Sequence, residues 1–415
     1  MPLRLVVNFR HMNIRTITYF CETGFLLKAE ELSVAGQALN ELKHALTEAG
    51  FGVQTTRLAA PPFAVTLAGQ AEKVLSYAQA LEDAAFVNQI DYATIGPARP
   101  EDGAEFFRAI PEAIAATQNV FASASIATPA TGISVDAARW AAEVIVRCAA
   151  TTPDGFGNLR FAALANVPAG VPFLPAAYHS SGAPAVALGI ESADLAVTAC
   201  GEASTLDEAR ARIVSAVETH AARLTEVMKK VCGRRGLNFL GLDFAYAVYP
   251  DEARSLGVAL ERLMGGKVGE HGSLAAAAFL TEALDRAQFK RVGFNGLFLP
   301  VFEDAVLARR AAEGTFTVND LLLYSAVCGT GLDTIPVPGD VSADALAAVL
   351  LDVAALALRL NKPLTARLMP MPGKQAGESV QFDFEFFAPS RVLPLKSSGL
   401  GGLLSSVSAF ELLGR

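Results

Sequence analysis

The chain has 415 residues, 52% of them hydrophobic and 18% charged, with a formal net charge of −8 and a pI near 5.3. No run of Lys or Arg exceeds two residues, so the clustered positive footprint that neutralises nucleic-acid phosphates is missing and nucleic acid is excluded as the main ligand. The longest apolar stretch, near residues 346–360, is interrupted by Asp352 and Arg359, and it is shorter than the roughly 20 residues that span a bilayer, so a membrane role is excluded too.

The N-terminal residues carry Arg4 and Arg10 without a long apolar run and cleavage site, which argues against a secretory signal and for the cytoplasm. A strand is predicted over residues 14–20, then a helix over 28–49 that stops at Gly50. Strands at 53–58, 92–95 and 120–126 alternate with helices at 69–88, 104–117 and 135–149, the last capped by Ser134. Strands at 159–167 and 185–190 precede a long helix over 206–231, capped by Thr205. Further strands are predicted at 239–248, 296–301, 335–337, 365–369 and 381–387, with helices at 274–288, 318–328 and 343–360.

Repeated βα alternation predicts a mainly parallel sheet, because parallel neighbours need helical crossovers. The count of about ten units, with no linker-like run between halves, predicts an α/β fold made of one closed barrel. The domain covers residues 1–415, with a C-terminal extension from about 389 to 415. A high apolar fraction suits strands buried on both faces and a homo-oligomer that hides apolar surface. Five scattered cysteines with no C-x-x-C pair disfavour a disulfide framework or a zinc ribbon and fit a reducing compartment.

Four loops at predicted strand ends are rich in Gly, Pro and acidic residues, and strand ends are where parallel α/β folds collect ligands. In residues 173–179, His179 is a candidate acid, base or ligand; the plainer alternative is a loop histidine bonded to backbone. Asp243 lies within an otherwise apolar strand, where a carboxylate needs a partner or a cation. Glu303 and Asp304 follow another strand: one suits a helix N-terminus, and Glu303 is the candidate oxygen ligand for Mg²⁺ or Ca²⁺. Residues 328–340 hold Cys328, a candidate nucleophile or redox thiol, followed by Asp333 and Asp340. Lys267 and Lys374 sit in glycine turns suited to an anion but lack P-loop spacing.

Several of these stretches resemble the bacterial and archaeal family called domain of unknown function 711. They are residues 13–18, residues 172–179, residues 293–340 with the run SAVCGTGLDTIPVPGD, and residues 367–374, so the likeness covers nearly the whole chain. The resemblance implies a ten-stranded α/β barrel similar to those of pyruvate formate-lyase and anaerobic ribonucleotide reductase. Those radical enzymes use barrel cysteines and, in many, a C-terminal Arg-Val-x-Gly. Here Arg391-Val392-Leu393-Pro394 places proline where the glycine belongs, and paired cysteines are absent.

Three functions follow as expectations. In the first, an enzyme acts on a small polar or anionic metabolite at the barrel mouth. Asp243, Glu303, Asp333 and Asp340 bind Mg²⁺ or Ca²⁺ or exchange protons, Arg15, Lys267 or Lys374 hold the anion, and His179 and Cys328 are secondary. In the second, the barrel is a non-catalytic sensor or scaffold. In the third, Cys328 carries a thiyl radical from an external source. The first requires Asp243 and Asp333 to share one site; in the contrary case Arg15, Lys267, Arg367 or Lys374 already neutralise the acids.

Overall fold

A computed structural model describes residues 12–414; the segment with Arg4 and Arg10 lies outside them. The β-branched runs form strands β1 (Asn13–Phe20), β2 (Gly52–Ala59), β3 (Tyr92–Ala98), β4 (Val120–Thr128), a short β5 (Gly132–Ser134), β6 (Phe161–Ala165), β7 (Ala185–Glu191), β8 (Asn238–Ala247), β9 (Gly331–Pro338) and β10 (Leu364–Met371). The helices are α1 (Ala29–Glu48), α2 (Phe63–Thr66), α3 (Val74–Val87), α4 (Ala104–Ala116), α5 (Val135–Ala149), α6 (Ala193–Glu202), α7 (Leu206–Arg235), α8 (Leu256–Met264), α9 (Ser273–Arg286), α10 (Ala305–Glu313), α11 (Val318–Ser325) and α12 (Ala343–Arg359). Both expected caps form: Ser134 accepts the amide of Ala137 at 3.1 Å and Thr205 that of Glu208 at 3.2 Å. Helices α6, α8 and α10 were not foreseen. Each is at most ten residues long, below the window of about 11–18 residues in which helical periodicity is read.

One large mixed sheet carries the fold, in the order β8-β7-β1-β2-β3-β4-β6-β10-β9. Strands β1, β2, β3, β4 and β6 are mutually parallel. The pairs β7–β8 and β9–β10 are parallel within themselves and run antiparallel to that block, at β1 and at β6. The main core lies under the helices; Ile14, Ile17 and Tyr19 of β1 point into it with Leu39, Leu42 and Leu224. On the opposite face, smaller clusters around Phe173, Phe294 and Leu174 fill the space.

Two expected strands do not form as such. Residues 290–301 cross with only isolated bridges, Leu242 to Arg291 and Pro300 to Asp333. Gly293 sits at φ +82°, and Pro300 has no amide to donate, so a continuous ladder cannot form. Residues 381–386 keep the alternation of a strand, with Phe382, Phe384 and Phe386 more covered than the exposed Gln381, Asp383 and Glu385, and the buried Phe387 breaks it. Among the described residues they pair with no strand, although the flanking Ser379–Val380 and Ser390–Arg391 pair antiparallel. The amide of Phe387 instead turns back onto Phe384 at 3.0 Å, and the rings pack on Phe156 and Phe302. The C-terminal extension returns to the body, where Ala409–Phe410 pairs antiparallel with β5. Among the described residues, no helix is long and apolar enough to cross a membrane.

Candidate functional site

Two irregularities in the sheet carry charged side chains to a common cavity. Register between β1 and β7 shifts between Ile14 and Thr16, leaving Arg15 as the extra residue. Register between β9 and β10 shifts so that Leu332 to Ile335 spans Ala366 to Leu368, which inserts one residue beside Asp333. Thr334 takes φ +44° there, an uncommon conformation for a β-branched residue. Bulges re-aim side chains and recur beside functional sites. Here they bring Arg15, Asp333 and Arg367 to one cavity of about 110 Å³, room for ordered waters or a small molecule.

The cavity wall holds Arg15, Arg57 and Arg367 with Glu303 and Asp333, together with Gln54, Thr55 and six aromatic rings. Arg367 donates through Nε to Asp333 Oδ1 at 2.6 Å and through Nη2 to Glu303 Oε1 at 2.9 Å. Arg15 Nη2 reaches Glu303 Oε2 at 3.1 Å and the Val248 carbonyl at 2.7 Å. Glu303 is therefore held between two arginines. Burial pushes its carboxyl upward, against the opposing pull of Arg367 and Arg15. For Arg367 burial acts downward, but Asp333 and Glu303 outweigh it and the guanidinium ends above its ordinary value.

Arg57 differs. Its Nε donates to Thr55 Oγ1 at 3.0 Å and its guanidinium lies 5.9 Å from the Tyr92 ring centre. Among the described residues it has no ion pair, and its two terminal nitrogens have no protein acceptor. Burial, with Arg15 beside it, pulls the group down to about 9, so it stays charged at neutral pH. Behind Gln54, Glu191 accepts from Asn13, Gln54 and Arg254.

The expected carboxylate cluster does not gather. Asp243 is fully buried and spends its oxygens on backbone, accepting the amides of Phe294 at 2.7 Å, Asn295 at 2.9 Å and Ala245 at 3.1 Å. Burial pushes its carboxyl up to about 7 against those three bonds. Asp340 is exposed and accepts from Gln375. Asp333 and Glu303 reach the cavity but are already neutralised by arginine. Among the described residues no group of three or more His, Cys, Asp or Glu could hold a metal ion. Asp304, next to Glu303, caps α10 by accepting the amides of Val306 and Leu307.

Of the expected anion holders, only Arg15 lines the cavity. Lys267 is exposed and paired with Glu313 at 2.9 Å, and Lys374 is exposed beyond β10. Cys328 is fully buried in the core beneath the helices, and no cysteine lines the cavity. His179 is buried with its amide on the Ala60 carbonyl; Nε2 has no partner among the described residues, and burial lowers its basicity. Arg57 was not foreseen, although the signal that selected Asp243 applies equally: a charge within an otherwise strand-like run, here VQTTRL. The covering role of Phe384 and Phe386 had no such signal.

The family model described as Uncharacterised ACR (DUF711) matches residues 6–387. The chain belongs to that family. Every cavity-lining residue of this DUF711 protein falls within the matched span. The chain is 33% identical over 400 residues to a UPF0210 protein of Pyrobaculum aerophilum, covering 89% of this chain and 87% of that one. It is 30% identical over 368 residues to one of Methanopyrus kandleri (84% and 81%). It is also 31% identical over 374 residues to one of Neisseria meningitidis (85% and 81%).

Proposed function

We propose that the protein binds a small anion in the cavity, with Arg57 as the anchoring cation and Glu303 as the group placed to exchange a proton with the bound molecule. One observation carries this reading: three guanidinium groups face two carboxylates, which leaves one half-buried positive charge, that of Arg57, without a protein counterion among the described residues. Burying an unpaired charge is costly, and an anion removes the cost. The divalent-metal reading loses its support, because both cavity carboxylates are engaged by arginine. The thiyl-radical reading finds none, since Cys328 lies away from the cavity lining.

We also infer that the sheet closes through residues 290–301. Leu242 donates to the Lys290 carbonyl at 2.8 Å at one end, and Val301 donates to that of Asp333 at 3.2 Å at the other. The crossing thus touches both outer strands of the sheet, β8 and β9. Counting it as a tenth member gives the number that the resemblance to pyruvate formate-lyase barrels implies. Slow hydrogen exchange at the amides of Leu242 and Val301 supports closure; rapid exchange at both rejects it.

Titration calorimetry with acetate, benzoate and phosphate, each beside a neutral analogue such as acetamide or benzamide, tests the binding reading. The expected result is heat of binding from at least one anion and none from its neutral partner. Equal binding of neutral and charged forms rejects it. A sensor without chemistry gains from the aromatic cover of Phe384 and Phe386, and a bound anion recovered unchanged after long incubation favours it.

A further inference from the structure

We infer that the ligand is a monoanion, a single carboxylate on an apolar planar body, and not a phosphate or a dicarboxylate. This rests on the anion reading above and narrows it. The charge count is decisive: Arg15 and Arg367 are satisfied by Glu303 and Asp333, at 3.1, 2.9 and 2.6 Å. Only Arg57 remains, so the wall has capacity for one negative charge. A phosphate monoester carries close to two charges at neutral pH. It would either leave one charge unmatched in a half-buried site or pull an arginine away from a carboxylate already in place.

The geometry of Arg57 points the same way. Its Nε is occupied by Thr55 Oγ1, and the two terminal nitrogens form an open fork, which suits the two parallel oxygens of a carboxylate. Around that fork the wall is aromatic. Tyr92 lies under the guanidinium and meets Phe121 edge to face, with ring centres 5.5 Å apart. Phe173 and Phe298 form a second edge-to-face pair at 4.8 Å. A flat apolar body fits edge-on or offset against such rings. A strongly hydrated body would lose its water there without replacement. The cavity volume of about 110 Å³ keeps that body small.

Calorimetric titration of the full chain with benzoate, isophthalate and inorganic phosphate tests the inference, alone and with Arg57→Met and Arg57→Lys. Benzoate is expected to bind about ten-fold or more tighter than isophthalate or phosphate. Arg57→Met is expected to abolish benzoate binding. Arg57→Lys keeps the charge but loses the fork, and is expected to weaken binding without removing it. If isophthalate or phosphate binds as tightly as benzoate and needs Arg57, the monoanion inference falls while the anion reading stands. If no anion binds, or benzoate binding survives in Arg57→Met, both fall. Should Arg57→Met not fold, benzoate binding undiminished in Arg57→Lys overturns the fork argument by itself.

Discussion

Asp243 and Asp333 hold opposite parts of the same crossing segment. Asp243 takes the amides of Phe294 and Asn295 in its side chain, and the Asp333 carbonyl takes the amide of Val301 at 3.2 Å. Both follow a Gly-Leu pair in the sequence, yet the shared pattern reflects a shared structural task and not a shared site. Asp243 faces the crossing segment through its side chain. Asp333, turned by the bulge at Thr334, sends its carboxylate to Arg367 instead.

That difference fixes what happens when Asp333 is replaced by Asn. Arg367 keeps Glu303, but its 2.6 Å partner keeps only a neutral acceptor oxygen and loses its charge, and weakening a buried charged hydrogen bond in this way costs about 1–3 kcal/mol. Urea denaturation is expected to show a loss of that size. Added Mg²⁺ or Ca²⁺ is expected to leave the melting temperature of both proteins unchanged, since among the described residues no group of three or more His, Cys, Asp or Glu could hold the ion. A rise in the parent alone would restore the metal reading.

Arg57→Met should behave in the opposite way. The wild-type side chain is charged and half-buried, with no protein counterion within 4.0 Å among the described residues. Replacing such a group by an apolar one of similar length is neutral or stabilising. The expected change in unfolding free energy in ligand-free buffer is between zero and a gain of about 1–2 kcal/mol. A clear loss of stability would mean that Arg57 has a structural partner, and the surplus charge would disappear.

The crossing segment itself depends on two glycines. Gly293 has φ +82°, and a Cβ built there would stand 2.1 Å from Asp243 Oδ2. At Gly296 it would stand 2.2 Å from the Gly329 amide nitrogen. Gly293→Ala combines a left-handed backbone with a clash against a fully buried carboxylate, for an expected loss of about 2–4 kcal/mol. A loss under 1 kcal/mol by chemical denaturation, within what a surface change produces, would show that the segment is not held by Asp243.

Most of the framework was legible in the sequence because strand and long-helix periodicity are local properties. The runs at residues 14–20, 120–126 and 135–149 need only their own residues to be read, and the structure realises them as β1, β4 and α5. What the cavity required was not local. Arg15 and Asp333 enter through bulges defined by the register with β7 and β10, and register is a pairwise property absent from a single run. Glycines 293, 296 and 329 pointed to a ligand loop, but contact between the two loops explains two of them by packing alone. Adjacent acids Glu303 and Asp304 were separable in principle, and they split into a cavity group and a helix cap.

The last prediction concerns pH, where two buried groups oppose each other. His220 is 1% exposed and packs edge-on to Phe51, with ring centres 6.2 Å apart. Burial, with Arg223 adding repulsion, pulls it from 6.5 to about 4. Between these values the unfolded chain binds more protons than the native one, so His220 makes stability rise with pH; its contribution is complete above 6.5 and lost as pH falls through 4. Asp243 is pushed from 3.8 to about 7. There the native state binds more protons, so its contribution is complete below about 4 and lost as pH rises through 7. Asp194, pushed up to about 6, adds to the second slope. At about 1.4 kcal/mol per pKa unit, His220 and Asp194 are worth up to about 3 kcal/mol each and Asp243 up to about 4 kcal/mol. Denaturation of the parent, His220→Phe and Asp243→Asn at pH 4 and pH 7 reads the slopes directly. Relative to the parent, His220→Phe should lose stability as pH rises, and Asp243→Asn should gain it. The Asp243 variant is less stable at both ends, because its amide cannot accept from Phe294 and Asn295 together as the carboxylate does. The comparison therefore rests on the change with pH and not on the absolute value. Parallel slopes for the three proteins would mean that neither group titrates differently on folding.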